Sequence, residues 1–241
     1  MSFRFLNSLL DVIFPKKCLA CKGRFDELTI DNLICAECWV KIKRNLPPFC
    51  HSCGRRLERK SFSKSICPMC LKQKLHFDRA FSPCVYEGVI KELIHEFKYK
   101  SKDYLGQTLS RLMIEFVKEY SLPIDWIDFI VPIPLHKTRL REREFNQAQI
   151  LSKHIATEFK KSVLSDSLRR DRYTRTQTDL ETGRRLANVK DCFSVARDEE
   201  VRGKNILLVD DVLTSASTSS EAALALKNAG AGVVFVLTVA N

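Results

Sequence analysis

Two adjacent carboxylates followed by a run of hydroxyls carry the most chemical information in this 241-residue chain. Asp210 and Asp211 end the apolar run Ile206-Leu207-Leu208-Val209, and after Val212 and Leu213 come Thr214, Ser215, Ala216, Ser217 and Thr218. Carboxylates at the carboxyl end of a parallel strand project into the crevice where open α/β sheets take ligands. A hydroxyl-rich turn that opens a helix adds backbone N–H groups and the positive end of a helix dipole, which suits a phosphate. The plainer reading is that Ser217 or Thr218 caps a helix. No G-x-x-x-x-G-K-[ST] stretch occurs, which excludes a P-loop nucleotide site.

Two other segments have the residue types for chemistry. After the apolar Phe129-Ile130-Val131, the stretch from Pro132 to Ala148 carries His136, Lys137, Arg139, Arg141 and Arg143, cations able to neutralise an anionic group, and Asn146, suited to cap a helix. The cysteines form the second segment. Cys18-x2-Cys21 and Cys35-x2-Cys38 are thirteen residues apart, and Cys50-x2-Cys53 and Cys67-x2-Cys70 repeat that spacing. A C-x2-C turn brings two sulfurs to one side, and two such turns complete a tetrahedron around Zn²⁺ with Zn–S near 2.3 Å. Eight thiolates suit two structural ions, paired sequentially in the simpler topology, with an interleaved arrangement left open. Sulfur saturation leaves no open position for a catalytic zinc. Unliganded thiols or disulfides are the competing reading; Cys84 and Cys192 lie outside the pattern and read as buried thiols.

The elements that must position these groups alternate after Asp78. The pattern predicts strands over 80–86, 128–132, 204–210 and 233–239, and helices over 89–99, 104–120, 146–160 and 218–229. Continuous apolar strands mark a parallel sheet buried on both faces, hence an α/β domain with helices on both sides. Three divisions follow: an amphipathic N-terminal helix (1–15), a cysteine-rich zinc module (16–78), and the α/β domain (79–241). Phe3, Leu6, Leu9, Leu10 and Ile13 form one helical face, read as packing on the zinc module, with peripheral attachment to the cytoplasmic membrane as the alternative.

Composition bounds the rest. The chain is 45% hydrophobic and 29% charged, a globular balance, and no apolar run approaches the roughly 18 residues of a membrane span. Asn7 and Asp11 interrupt the apolar N-terminus and no small-residue cleavage site follows, which argues against a signal peptide and for a cytoplasmic protein. Of the net charge of +11, residues 1–78 hold 15 basic against 7 acidic side chains. Two tetrathiolate zinc sites would cut that local +8 to about +4. The cations Lys41, Lys43, Arg44, Arg55, Arg56, Arg59, Lys60, Lys64, Lys72 and Lys74, mixed with Trp39, Phe49, His51 and Phe62, suit either phosphate and base contact or a solvated basic surface.

The run from Asp210 to Thr218 resembles the PRPP-binding (5-phosphoribosyl 1-pyrophosphate) signature of type I phosphoribosyltransferases. The resemblance implies that Asp210 and Asp211 hold ribose hydroxyls and that residues Val212 to Thr218 hold the 5-phosphate, with Ser215 and Ala216 standing where that loop usually reads Thr-Gly. Together with the cysteine pairs, the segments Val131 to Ala148 and Arg172-Tyr173-Thr174-Arg175-Thr176-Gln177 onward through Leu180, Arg185 and Asn188 to Phe193 are similar to the ComF family of competence proteins. That likeness implies a type I phosphoribosyltransferase-like fold behind a double zinc ribbon. It implies pyrophosphate and Mg²⁺ at His136, Lys137, Arg139 and Arg143, and a hood, acceptor or DNA surface at Arg172, Thr174, Arg175, Gln177, Arg185 and Asn188. The implied function is handling of single-stranded DNA during natural transformation, with DNA-uptake or recombination proteins as partners. The alternative is an active phosphoribosyltransferase that moves ribose 5-phosphate from PRPP to a base or amine, with Asp210 and Asp211 as the catalytic candidates.

Overall fold

The computed structural model describes residues 17–24, 29–57, 65–99, 102–173 and 190–241. The N-terminal stripe at 1–15, the cations and Phe62 between 58 and 64, and Thr174, Arg175, Gln177, Arg185 and Asn188 lie outside the described residues.

Five strands form one sheet in the order β3 (Arg79–Phe81), β9 (Val234–Ala240), β8 (Ile206–Val212), β4 (Phe129–Pro132), β5 (Ser162–Val163), with every pair parallel. Alternation along the strands sorts the side chains between two cores. Leu207, Val209, Leu237 and Val239 face one layer, while Ile206, Leu208, Val234 and Val236 face the other. The first layer holds the helices Gly88–Tyr99 (α3), Leu105–Glu119 (α4) and Gln147–Phe159 (α6); the second holds the short Asp198–Val201 (α7) and Ser217–Asn228 (α8).

The chain leaves β4 toward β5 on one side of the sheet and leaves β8 toward β9 on the other. Neighbouring strands whose connections depart in opposite directions leave a crevice beyond their carboxyl ends, the switch point where α/β sheets bind ligands. Both chemically marked segments, after Pro132 and after Val209, emerge there.

In this layer the helix nearest the crevice starts where the sequence supplies a cap. Asn146 accepts a hydrogen bond from the Ala148 N–H at 3.1 Å and so caps α6 as its residue type predicts. Its amide also donates to the Ile133 carbonyl at 3.1 Å, which ties the basic loop to the helix start. A short helix at Lys137–Arg143 (α5) was not expected from periodicity. It buries no side chain, and His136 caps it through Nδ1, which accepts from the Thr138 N–H.

The cysteine-rich part is built of turns, the small hairpin β1 (Thr29–Ile30) and β2 (Ile34–Cys35), and five-residue helices at Ala36–Val40 (α1) and Pro68–Lys72 (α2). It straddles the edge strand β3. Cys18, Cys35 and Cys38 join the core on the α3/α4/α6 side; Cys50, Cys53 and Cys67 join the core on the α8 side. Gly54 shows how closely the second half approaches the sheet: its φ is +70°, and a Cβ there would lie 2.3 Å from the Ala80 carbonyl oxygen. The Ala80 N–H donates to Ser52 O at 2.8 Å across the same contact.

Candidate functional site

The cysteines resolve into two clusters, Cys18, Cys21, Cys35, Cys38 and Cys50, Cys53, Cys67, Cys70, each with its four sulfurs within 4.8 Å of one another. The pairing is sequential. A tetrahedron with Zn–S near 2.3 Å has S···S edges of about 3.8 Å, and Cys21–Cys35 and Cys53–Cys67 lie at 3.9 and 3.6 Å. Both clusters repeat one supporting contact: the Cys35 N–H donates to Cys18 Sγ at 3.4 Å, and the Cys67 N–H to Cys50 Sγ at 3.3 Å. Burial opposes ionisation of Cys18, yet the backbone donors around it, led by Cys35, pull its pKa down to about 6. The thiols of Cys53 and Cys70 pull Cys50 far down, and Cys53 is in turn pushed up to about 12, chiefly by its hydrogen bond to Cys50. Four sulfurs crowded this closely are what a divalent cation would hold as a full thiolate set. The donor chemistry fits structural Zn²⁺ in both clusters. Cys84 and Cys192 are fully buried thiols, and burial pushes Cys84 up to about 12.

At the crevice, β8 carries both Asp210 and Asp211 within its ladder, which runs on to the pair Val212–Ala240. Asp211 is 6% exposed and bonds Lys98 of α3 at 2.8 Å. Burial lowers the pKa of Lys98, but the Asp211 charge and hydrogen bond, with Asp210, more than offset that and raise it. Asp210 is less covered, and its Oδ1 accepts from the Asp211 N–H at 2.8 Å. Burial first and the Asp211 charge second push Asp210 up to about 7, with Lys98 and Arg170 opposing. Arg139 and Arg143 of α5, and Arg170 on β6 (Leu168–Arg170), complete the charged surroundings; Arg139 and Arg143 both act on Arg170, whose pKa burial lowers. The structure thus brings Asp210, Asp211, Arg139 and Arg143 into one electrostatic group. Lys137 is exposed at the start of α5.

The hydroxyl loop does not follow the plainer reading of a side-chain cap. The N-cap position of α8 is Ala216, in the left-handed region at φ +62°, so Ser217 and Thr218 fall inside the first turn. The residue standing where a glycine is expected therefore keeps a glycine-like backbone. A non-glycine residue there costs roughly 1–2 kcal/mol, so its surroundings must hold it. Ser215 and Ser217 share a hydrogen bond at 2.9 Å, and both are buried with Ala216.

Tyr173 packs its edge on His136, centroids 5.4 Å apart, and lies under Arg139 at 5.9 Å. Arg172 donates to Cys192 Sγ at 3.3 Å. The strands β6 and β7 (Phe193–Val195) pair antiparallel, and Glu221 of α8 accepts from the Asp191 N–H at 3.2 Å. Among the ribbon cations, Lys43 pairs with Glu87 at 2.7 Å and Lys41 with Glu37, while Phe49 stacks on Phe116 and Tyr120 inside the fold. Arg56, Lys72 and Lys74 of the second ribbon are exposed, and no acidic partner pairs with them among the described residues.

Sequence reasoning missed Lys98 and Gln73, took Arg55 only as a cation of the ribbon surface, and placed Arg170 in a cover or acceptor surface over 169–193. Each is a polar residue in an unremarkable local context. Only the tertiary fold carries Lys98 to Asp211, and Arg55 to a loop 158 residues further on.

The comparisons with known proteins agree with this arrangement. Residues 9–71 match the double zinc ribbon domain family. Competence protein F of Haemophilus influenzae is 30% identical over 222 residues, covering 90% of this chain and 93% of that protein. The chain belongs to the ComF family. DNA utilization protein YhgH of Salmonella typhi is 30% identical over 207 residues, 84% of this chain and 88% of that one. Among solved structures, the glutamine PRPP amidotransferase of B. subtilis complexed with ADP and GMP is similar at 20% identity and a TM-score of 0.40, over 59% of this chain and 30% of that longer one. As a ComF-family member, the protein is a competence-associated double zinc ribbon joined to a five-stranded parallel sheet flanked by helices. Among the described residues, no helix is long and apolar enough to cross a membrane.

Proposed function

We propose that the crevice beyond β4 and β8 binds PRPP with Mg²⁺, and that this ComF-family protein handles single-stranded DNA during natural transformation under the control of that ligand. The observation that carries the reading is the convergence at one switch point of the Asp210–Asp211 pair and a loop with a left-handed turn at Ala216, ringed by Lys98, Arg139, Arg143 and Arg170. The carboxylate oxygens suit ribose hydroxyls and a hard cation, and the guanidinium groups suit pyrophosphate. Mg²⁺, when bound, would supply positive charge to the pyrophosphate oxygens. Lys98 holds Asp211 in place, and Asp210, protonated up to about pH 7, is the side chain that must give up its proton to a bound cation. In the alternative reading the same groups support displacement of pyrophosphate from the ribose anomeric carbon by an acceptor.

The proposal places DNA on the exposed cations Arg56, Lys72 and Lys74, on the same sheet face as α8, with partner proteins of the DNA-uptake or recombination machinery and the membrane surface as further contacts. Isothermal titration of PRPP with Mg²⁺ tests the first part. Binding by the intact protein that is lost in Asp210→Asn/Asp211→Asn is expected, and no binding by the intact protein would overturn it. Anisotropy of a labelled oligonucleotide against salt tests the second. An affinity that falls linearly with log salt is expected, and a flat response would contradict it. Pyrophosphate release across a panel of bases and amines separates a ligand sensor from an enzyme.

A further inference from the structure

The second zinc ribbon touches the phosphate loop itself. Arg55 lies two residues past Cys53, and its carbonyl accepts from the Cys50 N–H at 2.7 Å. Its Nη2 donates to the carbonyls of Leu213, at 3.3 Å, and Thr214, while its Nη1 meets Met69 Sδ at 3.4 Å. Gln73, just past α2, which Cys67 precedes and which carries Cys70, donates through Nε2 to the Ser215 carbonyl at 3.2 Å. One turn further along α8, Ser220 Oγ accepts from the His76 N–H at 3.1 Å. Three successive loop carbonyls thus point at the ribbon.

In a planar trans peptide, the carbonyl of one residue and the N–H of the next point in opposite directions. Holding the carbonyls of Leu213, Thr214 and Ser215 therefore turns the amides of Thr214, Ser215 and Ala216 away from the ribbon. None of these three amides donates to a backbone carbonyl among the described residues. The last of the three peptides leads into Ala216, the strained left-handed residue. Strain of this kind persists only where neighbours over-determine the backbone.

We infer that Arg55 and Gln73 are positioning residues that clamp the phosphate loop from behind, so that the second zinc ribbon is a working part of the ligand site and replaces the freedom that a glycine at position 216 would supply. This rests on the proposed PRPP site for its ligand, but the clamp acts on the empty loop as well. A folded, metal-filled second ribbon is what presents both donors, so metal content in that ribbon sets loop geometry.

The clamp is tested by ¹⁵N relaxation on the ligand-free full chain, comparing wild type with Arg55→Gln, Arg55→Lys and Gln73→Leu. Zinc content and melting temperature are measured alongside. Backbone order parameters over 213–217 near 0.85 are expected in the wild type, falling below about 0.6 in Arg55→Gln with two zinc ions retained. Arg55→Lys should recover part of the order, because it keeps one donor but not the fork that reaches two carbonyls. PRPP affinity should fall about tenfold in Arg55→Gln, the loss expected for hydrogen bonds from a charged donor. It should fall less when Ala216→Gly is added, because glycine does not resist the left-handed turn. Unchanged order parameters in both Arg55→Gln and Gln73→Leu would overturn the clamp. Loop disorder in the variants with no PRPP binding by wild type would leave the clamp standing and remove the ligand instead. If Arg55→Gln does not fold, Gln73→Leu, whose side chain makes a single loop contact, carries the test.

Discussion

The two zinc ribbons repeat one spacing of cysteines and one N–H···S contact, yet they lie on opposite faces of the sheet. The first packs on the helical layer: Lys22 pairs with Glu96 of α3 at 2.7 Å, and Thr108 of α4 donates to Asp31 at 2.7 Å. Neither contact reaches the crevice. The second packs on β3 and α8 and sends Arg55 and Gln73 to the phosphate loop. The same local code therefore makes a buttress on one side and a part of the site on the other. The metal-binding spacing determines a ribbon, and the surface against which it lands determines what the ribbon does.

The largest effect that can break this comparison is loss of a metal ligand. Cys35→Ser and Cys67→Ser should each lose one zinc and more than about 4 kcal/mol of stability, measured by denaturant midpoint and metal content, because both cysteines are core residues. The two should differ at the crevice. At a temperature where both variants are folded, Cys67→Ser should lose PRPP binding and Cys35→Ser should keep it. Loss of binding in Cys35→Ser alone would reverse the assignment of roles.

The first face does reach the site through α3, and Lys98→Met measures how much. It should cost about 3 kcal/mol, because it leaves Asp211 buried without its cation, and the shift in urea midpoint reads it.

A smaller effect concerns Asp210. With its pKa raised from 3.8 to about 7, the native state keeps a proton that the unfolded chain has already released. Stability of the ligand-free protein should therefore fall as pH rises from about 4 to about 7. Asp210→Asn should remove that slope, melting higher than wild type at about pH 7.5 and no higher at about pH 4. A wild-type profile that rises across this window would contradict the environment described for Asp210. The smallest change, Ala216→Gly, should stabilise the clamped loop by about 1 kcal/mol by relieving its left-handed alanine, read as a small rise in melting temperature.

Much of this was legible in the sequence because it is written locally. Cysteine spacing found both ribbons, and apolar runs found β4, β8 and β9 but not β5, whose two residues are too short to leave a pattern. Asp210, Asp211 and the loop after them stood out by residue type alone. The misses have physical causes. The strand expected over 80–86 stops at Phe81, since Pro83 has no N–H for the ladder and its carbonyl instead accepts from the Asn45 N–H of the ribbon. The strand expected to end at Asp210 continues through Val212, carried by its pairing with β9 and by Lys98 neutralising Asp211. Helix α5 has no buried face, so it left no hydrophobic period to read. Arg55, Gln73, Lys98 and Arg170 look like ordinary surface residues in sequence, because their partners are supplied by elements distant along the chain.

The loop after β8 is proposed to hold a phosphoribosyl ligand. The most direct measurement is a ¹H–¹⁵N correlation spectrum of the full chain titrated with PRPP and Mg²⁺. Saturable shifts concentrated at the amides of residues 214–218, together with those around Asp210 and Asp211, are expected, with the first ribbon silent. Shifts confined to the ribbons, or none at saturating PRPP, would contradict it.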